Sequence, residues 1–145
     1  RGDSFTLVIG GIDEVLLGTF EDRDVLFLKQ RKGFCKLAIE TGAGIVPVYA
    51  FGENQMYGHS ARWTLDAWRW VNKFVRLGAP FPIVARFGLP IMHRGPLRVV
   101  FGEPLIPQEG ESVEELHARY VRAVEALFHR HVGGTWDPLR KLVIE

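Results

Sequence analysis

Four cations, Lys29, Arg31, Lys32 and Lys36, fall within eight residues of one another. They lie beside a helix that the spacing of Phe34, Leu37, Ala38 and Thr41 predicts from Lys32 to Thr41, with Gly42 as its C-cap. A helix start presents unpaired backbone N–H groups and a partial positive charge, and Gly33 lets a ligand come close to the backbone. Added cations there are unfavourable by roughly 0.3–1 kcal/mol each against a bare dipole, a penalty that a bound phosphate group reverses. On charge alone the simpler reading is a solvated basic face, with Lys36 and Glu40 paired at i,i+4.

A second candidate is Gly10-Gly11-Ile12-Asp13-Glu14, which directly follows an apolar run, Phe5–Ile9, that reads as a buried strand. Ligands of open α/β sheets bind beyond strand ends, and two glycines allow a tight turn past a substrate. Asp13 or Glu14 could then hydrogen-bond a substrate hydroxyl or orient a catalytic base. Equally, acidic residues suit the first turn of a helix that begins near Val15. Phe51-Gly52-Glu53-Asn54 ends a third strand, and Glu53 and Asn54 either face a cleft or make turn hydrogen bonds.

Other chemistries find less support. His129 and His131, two apart on a helix, point in different directions and cannot chelate one metal. His59, His93 and His117 are not read as a ligand set either, so no metal is expected. The single cysteine, Cys35, precludes an internal disulfide and every multi-cysteine zinc site. Arg31 and Lys36 could lower its pKa, but its place on a partly apolar helix reads as a small inert core residue. No Gly-x-Ser-x-Gly elbow, Walker motif or dinucleotide fingerprint occurs.

The elements that must position these residues alternate along the chain. Strands are predicted at Phe5–Ile9, Val25–Leu28, Gly44–Ala50 and Leu97–Phe101, with Pro47 marking an edge or an irregularity. A helix starts after Ser112, which with Glu115 makes a capping box, and gathers Val113, Leu116, Tyr120, Val124, Leu127 and Phe128 on one face. Residues Ala79–Pro96 hold four of the eight prolines and read as a loop, and the tail after Gly133-Gly134 holds one more small element. The order predicts an α/β fold, a mixed β-sheet flanked by helices.

A helix drawn from Arg62 to Leu77 sets Arg62, Arg69, Lys73 and Arg76 on one side, opposed by Asp66 alone. Trp63, Trp70, Val71 and Phe74 gather on another side, a pattern that suits either a membrane surface or an ordinary core-packed helix. At ~1 kcal/mol per basic residue near an anionic leaflet, its charge surplus would orient a protein held elsewhere but not anchor it.

The chain has 145 residues, 47% of them hydrophobic and 24% charged, enough to bury the core of one domain and too apolar for disorder. A net charge of +1 gives no broad attraction for nucleic acid, and no nucleic-acid partner is expected. No apolar run approaches the ~18 residues that span a bilayer, and no signal peptide is visible. The chain opens on Arg1 and runs almost at once into an apolar segment, so it reads as a piece of something longer.

In order, the Gly-Gly-x-x-Glu turn is followed by Arg31-Lys32-Gly33-Phe34-Cys35-Lys36-Leu37-Ala38 and then by Ile45-Val46-Pro47-Val48-Tyr49 running into Phe51-Gly52-Glu53-Asn54. Together with Val99-Val100-Phe101-Gly102-Glu103-Pro104-Leu105 and the last amphipathic helix, this resembles the C-terminal half of the type 2 diacylglycerol acyltransferase family. That family includes monoacylglycerol and wax-ester-forming relatives. Lys32-Gly33-Phe34 through Val46-Pro47-Val48 is also similar, more distantly, to the glycerolipid acyltransferase superfamily.

The resemblance implies a glycerolipid-acyltransferase-like fold, incomplete at the N-terminus, with residues 1–145 forming the C-terminal part of one acyltransferase domain. It implies acyl transfer from acyl-CoA, a co-substrate rather than a cofactor, to a hydroxyl of a neutral glycerolipid or a fatty alcohol. Conversion of diacylglycerol to triacylglycerol is the type reaction. The family's catalytic histidine lies upstream in a His-Pro-His-Gly motif, and the superfamily's in His-x4-Asp. Neither motif occurs here, so the isolated chain is expected to be inactive.

By the same resemblance Glu14 supports catalysis at the active-site mouth, and Arg31, Lys32, Gly33 and Lys36 meet the CoA phosphates. Gly10, Gly11, Phe51, Glu53 and Asn54 line the pocket. A membrane surface is an implied partner, at the endoplasmic reticulum or a lipid droplet in a eukaryote, with this portion facing the cytosol. Lysophosphatidate enzymes carry Phe-Pro-Glu-Gly-Thr-Arg where this chain has Ile9 to Glu14, and no arginine follows here to clamp an acceptor phosphate. That difference favours an uncharged acceptor. The alternatives are a phospholipid-forming acyltransferase of the superfamily and a non-catalytic lipid- or membrane-binding module.

Overall fold

A computed structural model describes residues 4–10, 23–52, 95–135 and 137–145. Among them are four strands and two helices: β1 (Arg23–Leu26), α1 (Gly33–Thr41), β2 (Val48–Phe51), β3 (Arg98–Phe101), α2 (Val113–Val132) and β4 (Lys141–Ile144).

The sequence signals for both helices hold at their ends. Gly42 sits at φ 68°, a left-handed conformation that glycine adopts without strain, and its N–H donates to the Ala38 carbonyl to close α1. At the start of α2 the Ser112 hydroxyl accepts from the Glu115 N–H at 3.2 Å, while the Ser112 N–H donates to the Glu115 carboxylate at 2.8 Å. The reciprocal pair satisfies two otherwise orphaned donors.

The strands pair in two ways. β1 and β4 run parallel, with Arg23 opposite Lys141 and Leu26 opposite Ile144. β2 and β3 run antiparallel, with Val48 opposite Phe101 and Phe51 opposite Arg98. Pro47 has no N–H to give a ladder, so β2 starts after it, but its carbonyl accepts the Gly102 N–H at 2.8 Å. Pairing resumes beyond it at Ile45 and Leu105.

The core lies between α2 and the strands. Leu116, Tyr120, Val124, Leu127 and Phe128 project from one face of α2 and are buried. Phe128 stacks on Phe51 at 5.6 Å and meets Tyr49 edge-on at 5.3 Å. Each such side chain contributes ~1.5–3 kcal/mol through burial, which is why this face fixes the fold. A second cluster of Cys35, Ala38 and Leu116 seats α1 on α2.

Three expectations need correction. The mixed sheet is, among the described residues, two separate two-stranded sheets, one parallel and one antiparallel. Phe5–Ile9 is not a buried strand: Phe5 is 73% and Val8 74% exposed, and the run has no ladder partner among the described residues. An apolar run gains from burial only where something covers it, and here only Ile9 reaches the core. Leu37, expected on the inner face of α1, is exposed, while Cys35 takes the inner position with Phe34 and Ala38. The small element expected after Gly133-Gly134 is present as β4, the parallel partner of β1.

The helices drawn near Val15 and from Arg62 to Leu77 lie outside the described residues, as does the loop except for its last two residues. No helix among the described residues is long and apolar enough to cross a membrane.

Candidate functional site

The cations gather where β1 turns into α1. The Leu28 carbonyl accepts the Arg31 N–H at 3.0 Å to form the turn, and the Lys29 N–H donates to the Glu145 carbonyl just past β4 at 2.8 Å. Lys29 and Arg31 stand exposed on this turn, and Lys32 occupies the N-cap of α1. Lysine cannot cap: its side chain has donors only, and no side-chain bond closes the helix start. No acidic residue lies in the first turn either. The helix therefore starts with its positive end exposed and cations around it.

Gly33 opens α1, and a Cβ built there would meet nothing within 4 Å. Among the described residues nothing within 4 Å of that position obstructs a ligand from resting on this backbone. Lys36 points outward one turn on and pairs with Glu40 at 3.8 Å, as the i,i+4 spacing predicts, while Lys32 reaches Glu114 of α2 at 3.4 Å. Exposed pairs of this kind are worth about 0–1 kcal/mol. Pairs this weak cost little to break, so they leave both lysines able to bond a phosphate oxygen.

Beneath the turn, His117 of α2 is buried, and its Nε2 lies 2.8 Å from the Leu28 carbonyl oxygen. Phe34, in the first turn of α1, packs edge-on against Tyr120 at 4.8 Å and tilted against His117 at 6.2 Å.

The other predicted residues divide. Gly10 is buried. Phe51 is 3% exposed, and its ring packs into the core against Phe128 and Tyr49. Gly11, Glu14, Glu53 and Asn54 lie outside the described residues. Cys35 has its thiol pushed up to about 11, first by burial and then by the negative Glu111, so it stays protonated and is not a nucleophile at neutral pH. Among the described residues no group of three or more side chains could hold a metal ion.

Sequence reasoning missed two buried polar features. One is His117, passed over as a metal ligand; its signal was a polar residue on the apolar stripe between Leu116 and Tyr120. The other joins Asp24, Tyr49 and Arg140. One Asp24 carboxylate oxygen accepts from the Arg140 Nε at 2.8 Å, and the other accepts the Tyr49 hydroxyl at 2.5 Å. Arg140 also donates to the Arg23 carbonyl at 3.1 Å. Burial works to lower the pKa of Arg140, but its bonds and charge attraction to Asp24, with Asp137 adding, outweigh that and leave it raised. The trio is internally satisfied and ties β1, β2 and the approach to β4 together.

The pattern of the family described as diacylglycerol acyltransferase matches residues 1–142. The chain is 33% identical over 158 residues to the 2-acylglycerol O-acyltransferase 1 of Bos taurus, covering 99% of this chain and 46% of the relative. It is 34% identical over 147 residues to the diacylglycerol O-acyltransferase 2 of Danio rerio, covering 90% and 40%. The diacylglycerol O-acyltransferase 2 of Dictyostelium discoideum is 34% identical over 151 residues, covering 94% and 45%. The chain thus spans less than half the length of these relatives. No solved structure matches it.

Proposed function

The chain belongs to the diacylglycerol acyltransferase family, and from that premise we propose that it supplies the acyl-donor side of an O-acyltransferase of neutral-lipid synthesis. The donor is acyl-CoA and the acceptor an uncharged hydroxyl lipid, either diacylglycerol, monoacylglycerol or a fatty alcohol. The observation that carries this reading is the uncapped, cation-rich start of α1, where Arg31, Lys32 and Lys36 bring positive charge beside the open backbone at Gly33. CoA carries a pyrophosphate and a ribose phosphate, the kind of anion that such a helix start attracts.

Chemistry then needs a general base, which we assign to a histidine upstream of this span. It takes the proton of the acceptor hydroxyl, whose oxygen attacks the thioester carbonyl. The ester forms, the C–S bond breaks, and the CoA thiolate leaves and takes up the proton. Glu14 is assigned to support at the mouth of this pocket, with Gly10 and Gly11 giving the turn room and Glu53 and Asn54 along its wall, which Phe51 backs from the core side. No cofactor or metal enters this scheme. The segment 62–77 is assigned to a membrane surface, on the cytosolic side of the endoplasmic reticulum or a lipid droplet if the source is eukaryotic.

The test is R31E/K32E in the enzyme that carries this chain. The KM for acyl-CoA should rise at least ~10-fold, the loss of one or two charge-assisted bonds, while the KM for the acceptor stays constant. An unchanged acyl-CoA KM removes the assignment. Assay with diacylglycerol and lysophosphatidate in parallel separates the neutral acceptor from a phosphate-bearing one.

A further inference from the structure

We infer that His117 is a positioning residue for the donor-phosphate site, an inference that rests on the donor-site reading of the β1–α1 turn. A carbonyl oxygen can only accept, so the Nε2 that lies 2.8 Å from the Leu28 oxygen carries a proton and donates it. The same oxygen accepts the Arg31 N–H at 3.0 Å. One carbonyl thus closes the turn that presents Arg31 and anchors that turn to α2.

Two further ties come from the same stretch of α2. Lys32 bonds Glu114, three residues before His117, and Phe34 packs on the rings of His117 and Tyr120. The turn is therefore held on its protein side by the first turns of α2, while Lys29 and Arg31 remain exposed on the other. Leucine would fill the place of His117 among Leu116, Tyr120 and Phe34 without burying a polar ring. Packing alone gives no reason for an imidazole there; the hydrogen bond to Leu28 does. His117 touches no substrate in this account. It sets the angle at which the turn offers its cations and the open backbone at Gly33.

The experiment uses the enzyme that carries this chain, with coenzyme A itself as the probe in isothermal titration and hydrogen–deuterium exchange as a second readout. H117L and H117N, the first without a donor and the second with an amide too short to reach, should each bind CoA about tenfold more weakly. H117Q, whose amide nitrogen lies near the position of Nε2, should stay within about twofold of the parent, since it keeps the donor. Exchange across residues 29–34 should quicken in H117L and H117N but not in H117Q, while residues 120–132 exchange as in the parent. This last readout separates a loosened turn from a protein that has failed to fold. H117L and H117N binding CoA as tightly as the parent would overturn the role of His117 alone. A parent enzyme that does not bind CoA overturns the donor-site reading, and this role with it.

Discussion

Gly33 is the residue where stability and ligand access pull in opposite directions. Its Cβ position is empty and its backbone is not left-handed, so alanine fits. G33A should stabilise the fold by about 0.5–1 kcal/mol, because glycine loses more freedom on folding than alanine. The same methyl group would stand between the backbone and a phosphate. A thermal melt should show a small rise in Tm, and CoA titration a weaker affinity; a variant both more stable and unimpaired in binding would show that no ligand rests there. At this scale the sequence is legible where partners are local. The Ser112–Glu115 box and the Lys36–Glu40 pair follow from i,i+3 and i,i+4 spacing alone. Asp24 and Arg140, 116 residues apart, do not, since no local pattern announces a long-range ion pair.

Between residue and molecule, α2 organises the rest, and its start depends on carboxylates that must stay ionised. Ser112 hydrogen bonds hold Glu115 below the usual carboxylate range, and the Arg119 guanidinium, with the Gln108 N–H, does the same for Glu111. Arg119 reaches both Glu111 oxygens, at 2.6 and 2.7 Å. A carboxyl whose pKa is depressed on folding adds stability above its unfolded value, near 4.5, and that contribution fades as pH falls through the folded value. The denaturation midpoint should therefore drop below pH 4.5, and E111Q/E115Q should be less stable at neutral pH but lose less on acidification. S112A should cost about 1 kcal/mol at neutral pH, the usual loss for a missing cap. Both helices were readable because apolar period and caps agree. β4 was readable only as a small element, because a parallel partner is chosen by tertiary contact with β1, not by its own four residues. Phe5–Ile9 misled for the converse reason: a strand-like run specifies a strand only where a neighbour completes the ladder.

For the whole molecule, the buried Asp24–Tyr49–Arg140 trio links the two sheets, which share no ladder among the described residues. D24A would leave Arg140 buried without its principal partner, at a cost of about 3–5 kcal/mol. Against a total stability of about 5–15 kcal/mol that is a large share, so urea unfolding should shift far to lower concentration. A Phe101→Lys variant is the internal control: Phe101 is 69% exposed, and the change should stay within about 0.5 kcal/mol. The family was legible in the sequence because its motifs are local runs, and the match across residues 1–142 agrees with them. The donor site is the claim on which the rest depends. Its most direct measurement is photolabelling of the chain with a CoA analogue carrying a photoreactive group near its phosphates, followed by peptide mapping. Adducts should concentrate on residues 29–36 and be competed away by unlabelled acyl-CoA. Competable labelling confined to other segments, with residues 29–36 clean, would contradict the account.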